Sequence, residues 1–179
     1  MKIPWRIQFL FWWYTFLRRK QNQERMIKIG KKGRGASKIL FLLPAEKEYA
    51  QIAAHFVKRD SIDDTLQVQY VVHQEGIQYY SNQLKPNIIP FSNNDMNWFG
   101  AIVSESVLNS IKSIQYDAMV DLNQSVEQSL SLLSMELDIP VKIGFQSSFS
   151  DKLYTLVIQR STTGFLETNY ETIERILGL

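Results

Sequence analysis

Few side chains in this chain have types and spacings that could do chemistry. Cysteine is absent, which excludes disulfides, thiolate catalysis and Cys-based metal sites. Two histidines are present, His55 inside a helical pattern and His73 just after a strand-like run. Neither has a sequence-near acid or nucleophile that would suggest a triad, so both read as packing or surface residues, and no metal site is expected. What remains is a set of carboxylates and amides. Asp117 and Asp121 flank one apolar run, Ala118-Met-Val120. Asp121 would stand at the carboxyl end of a strand, where ligands bind in open α/β sheets, and Asn123 and Gln124 follow it where they could line a cleft. The plainer role for an aspartate at that point is a turn or cap. Lys142, in a later strand-like run, reads by default as half of a strand-edge salt bridge.

These residues depend on the elements that carry them. Lys38-Ile-Leu-Phe-Leu-Leu43 is a continuous apolar run closed by Pro44, as expected of a parallel strand buried on both faces. Residues 46–59 have helical periodicity through Tyr49, Ile52, Ala53, Phe56 and Val57. Strands are predicted at 67–72, 87–90, 117–122, 141–145 and 152–158, and helices at 76–84, 104–114, 125–137 and 168–177. Alternating strands and helices imply right-handed crossovers. The fold class expected is therefore α/β, a three-layer, doubly wound parallel sheet of Rossmann-like type spanning residues 38–179. At 179 residues, 45% hydrophobic and 21% charged, the chain has the composition of one ordinary globular domain with an appendage.

The appendage is distinct in charge. Residues 1–36 hold ten Lys/Arg and one acid, Glu24, for a net +9, leaving ten basic and seventeen acidic residues, or −7, in the rest. Residues 1–29 read as a basic, aromatic, amphipathic helical segment, and 30–37, Gly-Lys-Lys-Gly-Arg-Gly-Ala-Ser, as a hinge. The hinge lacks the G-x-x-x-x-G-K-[ST] spacing and a preceding strand, so it does not read as a phosphate loop. Residues 7–17 are almost wholly apolar or aromatic and are followed at once by Arg18-Arg19-Lys20. Eleven helical residues reach only about 16 Å, against a hydrocarbon core of about 30 Å, so the segment does not span. It also lacks the small-residue cleavage site of a signal peptide. Trp5, Trp12 and Trp13 suit the water–lipid boundary, and Arg18, Arg19 and Lys20 suit an anionic surface. An in-plane interfacial helix on an anionic membrane surface is one reading. Packing of the same helix on the domain or on a partner chain is the other. Contiguous aromatics and aliphatics suit lipid better than base stacking, so nucleic acid is not an expected partner.

Three stretches in order resemble a known family. They are Lys38-Ile-Leu-Phe-Leu-Leu-Pro-Ala-Glu-Lys-Glu48, then Tyr116-Asp-Ala-Met-Val-Asp-Leu-Asn-Gln-Ser125, then Ile139-Pro-Val-Lys-Ile-Gly-Phe145 with Leu153-Tyr154 soon after. Together they look like the N-terminal half of family 9 glycosyltransferases, the ADP-heptose–lipopolysaccharide heptosyltransferases, over roughly residues 37–179. The resemblance implies the acceptor-side half of a GT-B enzyme, with Asp121, Asn123, Gln124 and Lys142 (where the family has Arg) as acceptor-binding residues. It also implies Glu48 as the catalytic carboxylate that accepts the proton of the attacking hydroxyl. The family's first turn has the form L-G-x-x-G-D, whereas this chain has Leu43-Pro-Ala-Glu-Lys-Glu48. Both glycines are gone, and with them the close backbone approach they allow. The longer Glu48 moves the carboxylate, and a misplacement of about 1 Å can cost on the order of 10²-fold. Glu48 otherwise reads as a solvated residue in the first turn of a helix, favoured there by the dipole.

The matching region ends where an interdomain linker would begin, and no donor-binding domain is expected from this chain. The expectation is thus a membrane-associated, non-catalytic, glycosyltransferase-like accessory protein of the bacterial envelope. It would be cytoplasmic, peripheral on the inner face of the plasma membrane, and need no cofactor. The alternative is an active or split glycosyltransferase acting on a lipopolysaccharide-type acceptor, with a partner protein supplying the donor-binding domain.

Overall fold

The computed structural model describes residues 35–60, 66–159 and 166–177, and Trp12 alone among the first 34. Most of the N-terminal segment and hinge, including Trp5, Trp13, Arg18, Arg19 and Lys20, therefore lies outside the described residues. Trp12 is helical and exposed.

The apolar run after Ala36 forms strand β1, Lys38–Leu42, and Ile39 through Leu42 are wholly buried. Burial on both faces explains why that run is uninterrupted by polar residues. Helix α1, Lys47–Asp60, leads to β2, Gln67–His73, and β3, Ile88–Phe91. Helix α2, Glu105–Lys112, precedes β4, Ala118–Asp121. Helix α3, Gln128–Glu136, precedes β5, Val141–Phe145. A single helical turn, α4, Ser150–Leu153, then leads into β6, Leu156–Ile158, and α5, Leu166–Leu177, follows. The six strands are all parallel, in the order β3-β2-β1-β4-β5-β6. That is the doubly wound order, with its topological switch point between β1 and β4.

Alternate residues along each strand feed opposite faces. Ile39, Phe41, Leu43, Val120 and Ile143 pack against Ala53, Phe56 and Val57 of α1 and Tyr170, Ile173 and Leu177 of α5. Leu40, Leu42, Val71 and Met119 pack against Val107 and Ile111 of α2 and Leu130 and Leu133 of α3. Helices thus cover both faces of the sheet, giving three layers. The start of the domain is tied to its last helix where Ala36 N–H donates to the Leu177 carbonyl at 3.1 Å. At the amino end of the sheet, Asp117 accepts from Ser37 N, Ser37 Oγ and Lys38 N at 3.0, 2.8 and 3.0 Å. Partial burial pushes that carboxyl up, but the three donated bonds outweigh it and hold Asp117 below the usual carboxylate range.

Two predicted elements differ in kind. The helix expected over 76–84 is instead a 3₁₀ stretch, Gln74–Tyr79, followed by a turn and a second short 3₁₀ segment, Lys85–Asn87. The strand expected over 152–158 is split: Ser150–Leu153 is helical and only Leu156–Ile158 joins the sheet. In the first case Gly76 lies against the backbone of Ala45, so close that a Cβ there would sit 2.7 Å from the Ala45 Cα. That approach holds the segment in a tight coil over the turn after β1. In the second, Leu153 turns inward toward Met135 and Phe149. Among the described residues no helix is long and apolar enough to cross a membrane.

Candidate functional site

Asp121 is the last residue of β4, beside the end of β1 at the switch point. It lies on the same side of the sheet as Met119, the face covered by α3. Its side chain is 2% exposed and accepts three hydrogen bonds. Tyr154 Oη donates to Oδ2 at 2.6 Å, and Asn123 donates to Oδ1 through its backbone N–H at 2.9 Å and its Nδ2 at 2.7 Å. Burial pushes the Asp121 carboxyl up to about 6, despite these donors, and the nearby Glu127 carboxylate adds to the rise. Tyr154 is pushed up in turn, by its own burial and then by the Asp121 charge.

The Tyr154–Asp121 bond depends on Gly144. Val120 pairs with Ile143 across β4 and β5, so Gly144 falls one step on, level with Asp121. The Tyr154 ring lies directly over it: a Cβ at Gly144 would come within 2.4 Å of the ring carbons. Any larger residue at 144 would displace the phenol from the carboxylate. The spacing of Gly144 and Tyr154 was visible in the sequence, but their joint role as a bridge to Asp121 was not, because neither is near Asp121 along the chain.

The loop after β4 is pinned at several points. Glu127 caps α3, accepting from Leu130 N–H at 2.7 Å and Ser129 Oγ at 2.7 Å. Gln124, 5% exposed, has its Nε2 buried without a hydrogen-bond partner among the described residues. Asp121 therefore ends β4 at the switch point, with Asn123 hydrogen-bonded to it and Gln124 next in the same loop. Lys142 is directed elsewhere: it pairs with Met119, two positions back toward the amino edge, and its Nζ donates to the Ser134 carbonyl of α3 at 2.6 Å. Glu48 is exposed in the first turn of α1, and its side chain makes no hydrogen bond or ion pair with a described residue.

The turn between β1 and α1 is closed from above. Tyr80 Oη donates to the Pro44 carbonyl at 2.7 Å, and Gly76 packs on Ala45. Pro44 is buried, whereas Glu46 and Glu48 are exposed at the start of α1. In doubly wound nucleotide-binding sheets this turn is glycine-rich and the helix N-terminus receives a diphosphate. Here Glu46 and Glu48 flank Lys47 at the positive end of the helix, a net negative charge that disfavours an incoming phosphate. Among the described residues no three His, Cys, Asp or Glu side chains cluster as a metal site would require.

Fold and site together define a doubly wound α/β domain whose switch point is built around a buried, fully bonded aspartate. The chain belongs to the DUF6913 family, described as a family of unknown function, which it matches over residues 14–176. No curated protein and no solved structure matches it significantly.

Proposed function

We propose that this chain is a non-catalytic, membrane-associated binding module, resembling the acceptor-side half of a heptosyltransferase and serving envelope polysaccharide processes as an accessory protein. The observation that carries this reading is the turn after β1. A covered, proline-containing turn fronted by Glu46 and Glu48 offers no phosphate cradle, and Glu48 projects into solvent instead of into an enclosed reaction site. Asp121 is equally unsuited to take a proton from a substrate: its donors come from the chain itself and its exposed area is almost nil. A general base needs hydrogen-bond reach to the proton it removes. The net +9 of residues 1–36, with Trp5, Trp12 and Trp13, supports attachment to the anionic inner face of the plasma membrane.

Titration of the full chain with ADP- and UDP-sugars by calorimetry is expected to be flat, and saturable micromolar binding would overturn the non-catalytic reading. In liposome flotation, the full chain is expected to rise with anionic vesicles. A variant with Trp5, Trp12 and Trp13 changed to Ser and Arg18, Arg19 and Lys20 to Gln should stay in the dense fraction. Equal flotation of the two would remove the membrane from the proposal.

A further inference from the structure

A concavity separate from Asp121 opens at the carboxyl ends of β2 and β3. Its volume is about 550 Å³, and its walls are His73 to Glu75 with Gln78 on one side and Ser92 to Asn94 on the other. Volumes of that order are typical of ligand sites, and the carboxyl edge of a parallel sheet is where such sites occur.

Both walls are built before any ligand arrives. His73 ends β2 and caps the 3₁₀ stretch, its Nδ1 accepting from Glu75 N–H at 3.4 Å. In the neutral ring that arrangement leaves the proton on Nε2. The ring is also set edge-on against buried Phe91, with centroids 5.3 Å apart. Gln78 Nε2 donates to the Glu75 carbonyl at 3.0 Å. On the facing wall Ser92 and Asp95 cap each other, Ser92 N and Oγ both donating to Asp95 Oδ2 at 2.8 Å. Met96 and Ile102 then close the loop with an antiparallel bridge.

What the walls present is mostly unspent amide. Gln74, Asn93 and Asn94 are exposed and make no side-chain hydrogen bond with a described residue. Each amide offers donors and acceptors side by side, which matches hydroxyl groups that both donate and accept. The lining contains no Lys or Arg, so it lacks the fork or point charge that holds a phosphate. It contains one carboxylate, the exposed Glu75, too little to cage a polyvalent cation.

We propose that this cleft binds a neutral, polyhydroxylated ligand, an oligosaccharide segment, through the amides of Gln74, Asn93 and Asn94. The inference is independent of lipid attachment, because either can hold while the other fails. The test is amide NMR on the ¹⁵N-labelled full chain, titrated with chitotriose, maltotriose, ATP and spermine up to their solubility limits. The expected result is saturable shifts confined to residues 73–78 and 92–95 with at least one of the two neutral sugars. Changing Asn93 and Asn94 together to Ala should weaken that binding about tenfold, the loss of two neutral hydrogen bonds, with the rest of the spectrum unchanged. Flat titrations with both sugars, saturation of the cleft by ATP or spermine alone, or wild-type affinity in the double variant would each overturn the proposal.

Discussion

Asp121 is buried to 2% exposure yet carries a carboxyl held near 6, so its ionisation is linked to folding. The folded-state value lies above the ordinary one of 3.8, which means that the folded chain holds this proton more tightly than the unfolded chain. The resulting stabilisation is complete below about 4 and is lost as pH rises through about 6. A shift of that size corresponds to something on the order of 3 kcal/mol. Asp117 acts in the opposite direction, since its carboxyl is held low by Ser37 and Lys38, and its contribution fades as pH falls. Comparison with Asp121→Asn isolates the first effect. In urea titrations between pH 4 and 7, the variant should gain on the wild type by up to about 3 kcal/mol across the window. A difference between the two proteins that stays constant with pH would show that Asp121 does not titrate there.

At the scale of elements, the coil over the first turn is the distinctive feature. Gly76 is within 2.7 Å of Ala45 Cα, measured from the Cβ it lacks, and 3.0 Å from Val72 Cγ2. Since the nearest atom is backbone, Gly76→Ala must push the 3₁₀ stretch away from the β1–α1 turn, with a destabilisation of about 1–3 kcal/mol. Thermal or urea unfolding measures it, and a neutral effect would mean that the coil can move freely over that turn. The strands were legible in the sequence for a physical reason: runs such as Ile39–Leu42 and Ala118–Val120 are buried on both faces and admit no polar residue. The segment from Gln74 to Asn87 was not, because Ile77, Tyr80 and Leu84 recur at a helical spacing while the close approach of Gly76 to Ala45 is a tertiary fact. The same division runs through the site. Asp121 could be placed at a strand end from local pattern, but Tyr154 reaches it from 33 residues away, through a vacancy that only Gly144 provides.

At the scale of the whole molecule, α5 completes the layer that covers β1. Tyr170 packs on Phe56 with ring centroids 4.9 Å apart, and Ile173 is wholly buried in the same cluster. Ile173→Ala should cost about 2–5 kcal/mol, read as a lower urea midpoint with an unchanged slope. A changed slope would indicate that α5 detaches separately from the remainder. In a parallel sheet every strand begins at one edge and finishes at the other, which gives the domain two unlike poles. The clasp between Ala36 and Leu177 belongs to the first pole, where β1 starts. Asp121 and the cleft between His73 and Ser92 belong to the second. The described part of the domain therefore starts, at Gly35, at the pole opposite the proposed cleft. The described domain is thus entered at one end and displays the exposed amides of Gln74, Asn93 and Asn94 at the other, like a lamp wired through its base.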